Sequence, residues 1–548
     1  MMKMEVKIVS KDRIIPSSPT PSHLRIFKLS LLDQLIPAPF APIILYYDNS
    51  DPSYNTPNLI KPCTTTTHLD DDDDDDNEDK ATIMKRLHVL KTSLSETLTG
   101  FYPLAGQIKD DLSIDCNDQG AHYVEARVKH STLREFLNRP DDLILLLHRF
   151  LPCDLTNSNT GASVTNIQVN VFKCGGMAIG LCISHKILDG AGLCTFIKAW
   201  TATARLRSSR PRSALYSRSS SLSSSSSSLT SSDSVTLPSS SDSDDNQTPR
   251  AASRIIHPTK PNLSAATCLF PTSDELWLRD SSLRMWGSLF INDGKSSCVT
   301  RRLVFEGSAI AALKGMVAAV NNNYKVKRPT RVEVVSAFIW QCAMAASKQI
   351  HGFGRPSLLT HAVNLRSRIT SLLDLDLEYS IGNLLWIAAA RCQTPIFTLD
   401  DNDAAADGLQ LHGLVEELRN AVSKIDGDFV NKMRSAGEEE EGKYHMLESL
   451  EELRSSPSSE SDYYGFSSWC NFGFYEGGDF GWGKPVWVSS VGSTGNSVFL
   501  NFIILVDTKL GDGIEAWVTL DQHHMAILQC NPQLRKFVSL DPTPLLLL

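Results

Sequence analysis

A two-domain α/β, or α+β, sandwich is the fold class that the sequence predicts, and three observations predict it. The 548 residues are 42% hydrophobic and 21% charged, which is enough apolar material for a large buried core and a length that suggests two to three domains. A serine-rich stretch from Ser217 to Asp245 divides the chain into halves of comparable size and has the composition of a linker. Each half alternates strand-like and helix-like pieces, which favours a mixed sandwich over a bundle or a barrel. The expected organisation is therefore a first domain over residues 1–216, a disordered linker over 217–250 and a second domain over 251–548.

Along the chain, Met84, Leu87, Leu90 and Leu94 have the spacing of one helix face and predict a helix over 84–97. Gly100-Phe101-Tyr102-Pro103 ends it. Ile167, Val169 and Val171 alternate with other residues, Gly175-Gly176 makes a turn, and Met177, Ile179, Leu181 and Ile183 resume the period of two, which reads as a β-hairpin. Helical texture follows over 193–204. In the second half, Cys298–Phe305 is strand-like and Ile310–Val320 helical. After Pro329, Val332–Ala346 forms a helix rich in Val, Ala, Ile and Trp.

Three segments break this texture: Thr64–Asp79 with its run Asp70–Asp76, the serine-rich stretch, and the acidic patch Glu438–Glu441. Segments so poor in apolar residues cannot offset the roughly 1–2 kcal/mol per residue of backbone entropy lost on ordering, so all three are expected to be disordered surface insertions. The Asp run lacks the glycine and spaced ligands of a calcium loop.

The composition excludes several functions. A formal net charge of −9 and no Lys/Arg stripe interleaved with aromatics speak against nucleic acid. Residues 1–16 never build the unbroken apolar core of a signal peptide, and the longest apolar runs, such as Phe40–Tyr47, fall short of the roughly 20 residues that a membrane span requires. A cytosolic protein without a membrane partner is expected. The 12 cysteines include no CxxC pair and no Cys/His cluster of zinc spacing, so reduced thiols are expected and no metal site.

Chemistry concentrates in two places. The second hairpin strand runs into Ser184-His185-Lys186-Ile187-Leu188-Asp189-Gly190-Ala191-Gly192, which sets a histidine where a strand ends and a side chain can project into a cleft. The glycines allow other segments or a ligand to come close. An unperturbed pKa of about 6.5 suits histidine to general-base work. On its own, His-x-x-x-Asp is equally the pattern of a core histidine followed by a helix-capping aspartate. The second place is Ser467-Ser468-Trp469 and Phe474-Tyr475-Glu476, then Asp479-Phe480-Gly481-Trp482-Gly483-Lys484-Pro485, a tightly turned, aromatic-packed loop that serves structure, function or both. A serine-hydrolase elbow of GxSxG type is absent; Gly492-Ser493-Thr494-Gly495 has the wrong spacing.

Together, His185-x-x-x-Asp189 and the DFGWGKP at 479–485 resemble the paired signature of the plant BAHD acyltransferases. The likeness is close to end-to-end. Ile14–Pro21, Phe101–Gly106, Pro329–Glu333, Val363–Arg368 and Ile381-Gly382-Asn383 are similar to the family's lesser motifs, in order, and only the three low-complexity insertions fall outside it. The subgroup that looks most similar includes vinorine synthase and other alkaloid, terpenoid and acyl-sugar acyltransferases.

The resemblance implies two chloramphenicol-acetyltransferase-like domains with a channel between them. It implies acyl-CoA, with acetyl-CoA favoured, as cosubstrate and no permanently bound cofactor, a small-molecule alcohol or amine as acceptor, and a monomer. His185 matches the base. Asp189 matches an aspartate that points away from substrate and pairs with an arginine, for which Arg366 is the candidate, so that the pair, with Gly190, supports the histidine loop. Asp479 matches an aspartate regarded as structural and sometimes as functional, within a loop shaped by Gly481, Trp482 and Gly483. Ser467 stands where the family often has threonine near the thioester carbonyl and is the candidate oxyanion donor. Two departures bear on that last assignment: serine replaces threonine, and Gly477-Gly478 adds one residue between Trp469 and Asp479. Arg301, Arg302 and Lys314 supply positive charge in the second half, with no individual CoA ligand assigned. The alternative is a catalytically degenerate member that binds a metabolite or a protein.

Overall fold

The computed structural model describes residues 4–36, 40–49, 77–139, 143–153, 160–208, 261–273, 297–319, 328–373, 377–393, 404–435, 440–454, 461–491, 494–495 and 499–547. The Asp70–Asp76 run, the linker at 217–250, and Glu438 and Glu439 lie outside them. The rest of the acidic patch behaves differently from the expected disorder, because Glu440 and Glu441 open the helix Glu440–Arg454. Acidic residues suit a first turn, where unpaired amide N–H groups carry partial positive charge. Likewise 77–79, the end of the first low-complexity segment, belong to the helix Asn77–Gly100.

Seventeen strands occur among the described residues. The first half contributes β1 (Glu5–Ile14), β2 (Ile26–Lys28), β3 (Phe40–Tyr47), β4 (Gln107–Ile108), β5 (Ser113–Asp115), β6 (Ala121–Lys129), β7 (Thr165–Phe172) and β8 (Met177–Ser184). The second contributes β9 (Cys298–Phe305), β10 (Ser357–Asn364), β11 (Leu385–Cys392), β12 (Asp462–Ser468), β13 (Trp487–Ser489), β14 (Thr494–Gly495), β15 (Phe502–Asp507), β16 (Ile514–Asp521) and β17 (Ser539–Leu540). They build a six-stranded sheet in the order β1-β6-β7-β8-β3-β13, an eight-stranded sheet in the order β11-β10-β12-β15-β16-β9-β14 with β17 also on β9, and a small sheet β2-β5-β4.

The hairpin read from the sequence is present as the antiparallel pair β7–β8, with Val171 opposite Met177 and Gly175 at φ +76° in the turn. Every residue of both strands is buried, including Asn166, Gln168 and Asn170, whose side-chain amides bond backbone carbonyls of Ser163, Arg149 and Phe150. The helix expected over 84–97 spans Asn77–Gly100, but its buried face differs from the expected one. Ile83 is 8% exposed and Met84 60%, so the stripe runs Ile83, Leu87, Leu90, Leu94 and Leu98, closer to a 3.6-residue period than one that starts at Met84. The helix expected over 332–346 spans Arg331–His351, begun by a capping box in which Thr330 Oγ1 accepts from the Glu333 amide and ended by Gly352 at φ +80°.

Each half also lends a segment to the other's core. The short helix Leu31–Gln34 and Leu35 and Ile36 pack with the larger sheet, while Trp469, Phe474, Phe480 and Trp487 pack with the smaller. β13 carries out this exchange as an edge strand on β3, with Trp487 opposite Tyr46. Trp487 stacks on Tyr46 at 4.9 Å and on Trp517 at 6.0 Å between centroids, and its Nε1 donates to Glu515 at 3.3 Å. Glu515 in turn holds Arg302 at 2.9 Å, with the Arg302 side chain fully buried.

No described helix is long and apolar enough to cross a membrane. Because removing one partner of a buried pair strands the other's charge, Glu515→Gln should lower stability by about 3–5 kcal/mol. Lys424→Ala, which removes an exposed pair with Glu452, should cost less than about 1 kcal/mol. Urea unfolding followed by tryptophan fluorescence compares the two, and equal midpoints would contradict the placement of Arg302.

Candidate active site

β8 ends at Ser184 and delivers His185 to the seam between the two sheets. The turn that follows leads into the helix Gly190–Ser208, and Asp189 caps it, with Oδ1 accepting from the Gly192 amide at 2.9 Å. A Cβ on Gly190 would lie 2.7 Å from the Phe472 ring, so glycine there lets the loop after β12 close onto the histidine turn.

The turn is fixed from across the seam. Arg366 donates to both Asp189 oxygens, Nη1 to Oδ2 at 2.7 Å and Nη2 to Oδ1 at 3.1 Å, in the paired geometry that a planar guanidinium favours. Its other N–H groups reach Ser380 Oγ at 3.0 Å and the carbonyls of Ser380 and Gly382 at 3.3 and 3.2 Å. The Leu384 amide adds a third donor to the carboxylate, 3.1 Å from Oδ2, and Leu188 bridges Gly382 in parallel. With every acceptor engaged, Asp189 is a buried aspartate that faces arginine.

Asn383 completes the clasp. Its Nδ2 donates to the His185 carbonyl at 2.7 Å and to Asp33 Oδ1 at 2.8 Å, while its backbone N–H donates to the same oxygen at 2.7 Å. Asp33 Oδ2 takes the Ser30 amide at 2.9 Å and the Ser30 hydroxyl at 2.6 Å. Burial pushes the Asp33 carboxyl above the usual range, against the pull of these donors. Sequence reasoning missed Asp33. The Ser30-x-x-Asp33 spacing signals a capping box, but nothing local shows that the carboxylate also serves a loop 350 residues away.

His185 itself keeps some exposed surface and lines a cavity of about 990 Å³, part of it open to solvent. Its Nδ1 is buried without a hydrogen-bond partner among the described residues, which leaves Nε2 as the reachable nitrogen. Burial lowers its pKa from 6.5, opposed by the turn's own carbonyl and by Asp189, Asn383 and Asp33. Such a ring is neutral at pH 7 and can accept a proton from a group bound in the cavity. The walls are largely apolar, with Phe40, Leu193, Trp469, Phe499 and Phe502 among them, and Asn364, Ser467 and Ser468 add polar side chains from the second half.

The structure thus brings His185 and Ser467 to one cavity and sets Asp479 apart from its lining. Asp479 Oδ1 accepts from the amides of Gly481 at 2.8 Å and Gly483 at 3.1 Å, and its carbonyl accepts from Arg205. Gly481 and Gly483 hold φ of +104° and +109°, the left-handed region where a side chain is strained. Between them Trp482 stacks on Phe480 at 5.4 Å, and Phe480 meets Trp200 edge-on at 4.8 Å. The Gly477-Gly478 pair lies where the short helix Phe474–Gly477 ends. There Thr201 Oγ1 bonds the Gly477 carbonyl and Tyr47 Oη the Gly478 carbonyl, each at 2.7 Å, and a Cβ on Gly478 would lie 2.7 Å from the Phe474 carbonyl oxygen. Arg301 and Arg302 are engaged elsewhere, by Asp541 at 3.0 Å and by Glu515, while Lys314 is half-buried on the helix Gly307–Ala319.

The family model for the Transferase family matches residues 76–265 and 291–534. The chain belongs to the BAHD acyltransferases. It is 38% identical to the limonoid 7-O-acetyltransferase of Citrus sinensis over 99% of this chain and 100% of that one. It is 29% identical to the salutaridinol 7-O-acetyltransferase of Papaver somniferum over 96% and 97%. The crystal structure of vinorine synthase superposes with a TM-score of 0.63 at 27% identity, covering 98% of this chain and 99% of that one. That of F. sporotrichioides TRI101 complexed with coenzyme A and T-2 has a TM-score of 0.59 at 16% identity, covering 94% and 99%, which shows the shared two-domain, chloramphenicol-acetyltransferase-like fold. This BAHD enzyme is an acyl-CoA-dependent O-acyltransferase.

The burial of His185 makes a titration prediction. With ¹³C-labelled histidine, the NMR signal missing from His185→Ala should titrate with a midpoint below 6.5, because burial disfavours the charged ring. A midpoint above 6.5 would contradict the placement of its Nδ1 edge.

Proposed function

We propose that this BAHD enzyme transfers an acetyl group from acetyl-CoA to a hydroxyl of a polycyclic plant specialised metabolite, with a limonoid-type triterpenoid alcohol as the first class of acceptor. One observation carries the reading: an imidazole with its pKa lowered and its Nδ1 edge sealed lines an apolar cavity at the seam of two sheets. The substrate class rests on likeness to limonoid acetyltransferases of Citrus sinensis and Melia azedarach, at 38% and 37% identity over the whole chain. An apolar cavity suits a rigid hydrocarbon skeleton and favours an uncharged alcohol over a protonated amine.

In this reading, Nε2 of neutral His185 takes the proton from the acceptor hydroxyl as its oxygen attacks the thioester carbonyl. The tetrahedral intermediate collapses, the carbon–sulfur bond breaks, and the proton passes to the departing CoA thiolate. Both substrates are held together and no acyl-enzyme forms. Ser467 Oγ, at the cavity wall, donates to the oxyanion, a contribution typically worth about 2.7–4 kcal/mol. Asp189, Arg366 and Asn383 hold the base in place, and Asp479 holds the 479–485 loop rather than touching substrate. Buried thiols outside any disulfide, such as Cys116, Cys182 and Cys194, suit a cytoplasmic enzyme, and one chain supplies the whole site, as a monomer requires.

The test is turnover of acetyl-CoA with a panel of limonoid and alkaloid alcohols, read as acetylated product by mass spectrometry and as free CoA. Product is expected from a limonoid alcohol, and His185→Ala should lower turnover by about 10²–10⁴-fold with an unchanged circular dichroism spectrum. Acetyl-CoA binding without turnover across the panel would favour a degenerate, ligand-binding member.

A further inference from the structure

Asn364, the last residue of β10, is anchored on one side and open on the other. Its Oδ1 accepts from the Arg366 amide at 3.0 Å and from Arg366 Nη1 at 3.3 Å. Arg366 offers only donors at these atoms, so the carboxamide oxygen must face it and Nδ2 must face away. Nδ2 makes no hydrogen bond within the described residues, and Asn364 is exposed and lines the cavity that His185 lines. The parallel pairing of β10 with β12 runs to His361 beside Phe466; beyond it Ala362 and Asn364, two residues apart on one face of β10, line the same cavity as Ser467. The same Arg366 that clamps Asp189 thereby orients an unused donor in the cavity that His185 lines.

We propose that Asn364 is a specificity-determining residue whose Nδ2 donates a hydrogen bond to a second oxygen of the acceptor, a carbonyl, ether or hydroxyl other than the one acylated, and so selects which hydroxyl meets His185. The proposal rests on the acyltransferase reading of the cavity. Much of the lining is hydrocarbon and gives shape but little orientation. A fixed N–H discriminates sharply, because an acceptor that covers it without meeting it strips the donor of water and leaves it unpaired. Asp189 is a carboxylate and offers no donor, while Ser468 Oγ accepts from the Cys470 amide at 3.3 Å and carries a rotatable O–H rather than an N–H fixed in direction.

Asn364→Asp keeps an oxygen facing Arg366 and replaces the donor by a charged acceptor, a change felt by every acceptor alcohol alike apart from the lost N–H contact, whereas Asn364→Leu removes both oxygen and donor. Each variant and the wild type are assayed with acetyl-CoA and three alcohols: a limonoid alcohol and an alkaloid alcohol that each carry further oxygens, and a monohydroxy triterpene with none. For Asn364→Asp, kcat/KM should fall about tenfold to a hundredfold more on the oxygen-rich acceptor than on the monohydroxy one, with the difference in acceptor KM rather than kcat. Asn364→Leu should add a loss common to all acceptors. Equal losses on both kinds of acceptor in Asn364→Asp would overturn the proposal and leave Asn364 a structural partner of Arg366. A wild type active only on the alkaloid alcohol would overturn the limonoid class proposed above, and the same ratio is then read on the alkaloid alcohol.

Discussion

The site depends on one buried ion pair, Asp189 with Arg366, made across the seam at 2.7 and 3.1 Å. A carboxylate and a guanidinium removed from water cost several kcal/mol each unless their geometry and remaining hydrogen bonds are nearly complete, and here they are. Arg366 also reaches Ser380, Gly382 and Asn364, and Asp189 also takes the amides of Gly192 and Leu384. The completeness of that network sets the loop that carries His185 at a defined place relative to the second half. Such a pair adds little net stability; what it supplies is position.

Position matters because the chemistry asks little of any other single residue. Transfer between a thioester and an alcohol needs a base that is neutral when the acceptor arrives, a donor for the developing oxyanion, and exclusion of water. In the function proposed above, His185 with its buried Nδ1 edge is the first, Ser467 at the cavity wall is the second, and the apolar lining serves the third. The exchange of segments between the halves, with Trp487 stapled to Glu515 and the 31–36 turn packed under the larger sheet, keeps the two walls of the cavity from drifting apart. Asp479, in spite of its prominence in the sequence, works at a distance by shaping the loop that precedes β13.

Much of this was legible in the sequence wherever the signal was local. The β7–β8 hairpin followed from period-two residues around Gly175-Gly176, and the helix Arg331–His351 from a proline and an apolar run, though not its capping box. Boundaries were harder. The buried stripe of the helix Asn77–Gly100 starts at Ile83 rather than Met84, two adjacent apolar residues of which only one can face the core, and the acidic patch gave no hint that Glu440 begins a helix. Composition showed positive charge at Arg301 and Arg302 but not that Asp541 and Glu515 engage them. The pairing of Asp189 with Arg366 was reached by family likeness, since spacing within one chain cannot show a contact across 177 residues. Asp33 and the free face of Asn364 were invisible for the same reason: each is defined by what the folded chain brings against it.

The most direct test of this arrangement is a double-mutant cycle between the clamp and the base. Turnover of [¹⁴C]acetyl-CoA with a working acceptor is measured for the wild type, Asp189→Asn, His185→Ala and the double variant, with folding verified by circular dichroism. If Asp189 acts only through the imidazole, its substitution lowers kcat in the wild-type background and lowers it no further once His185 is alanine. An equal loss in both backgrounds would contradict the account, because the buried pair would then serve catalysis by some route other than the base it holds.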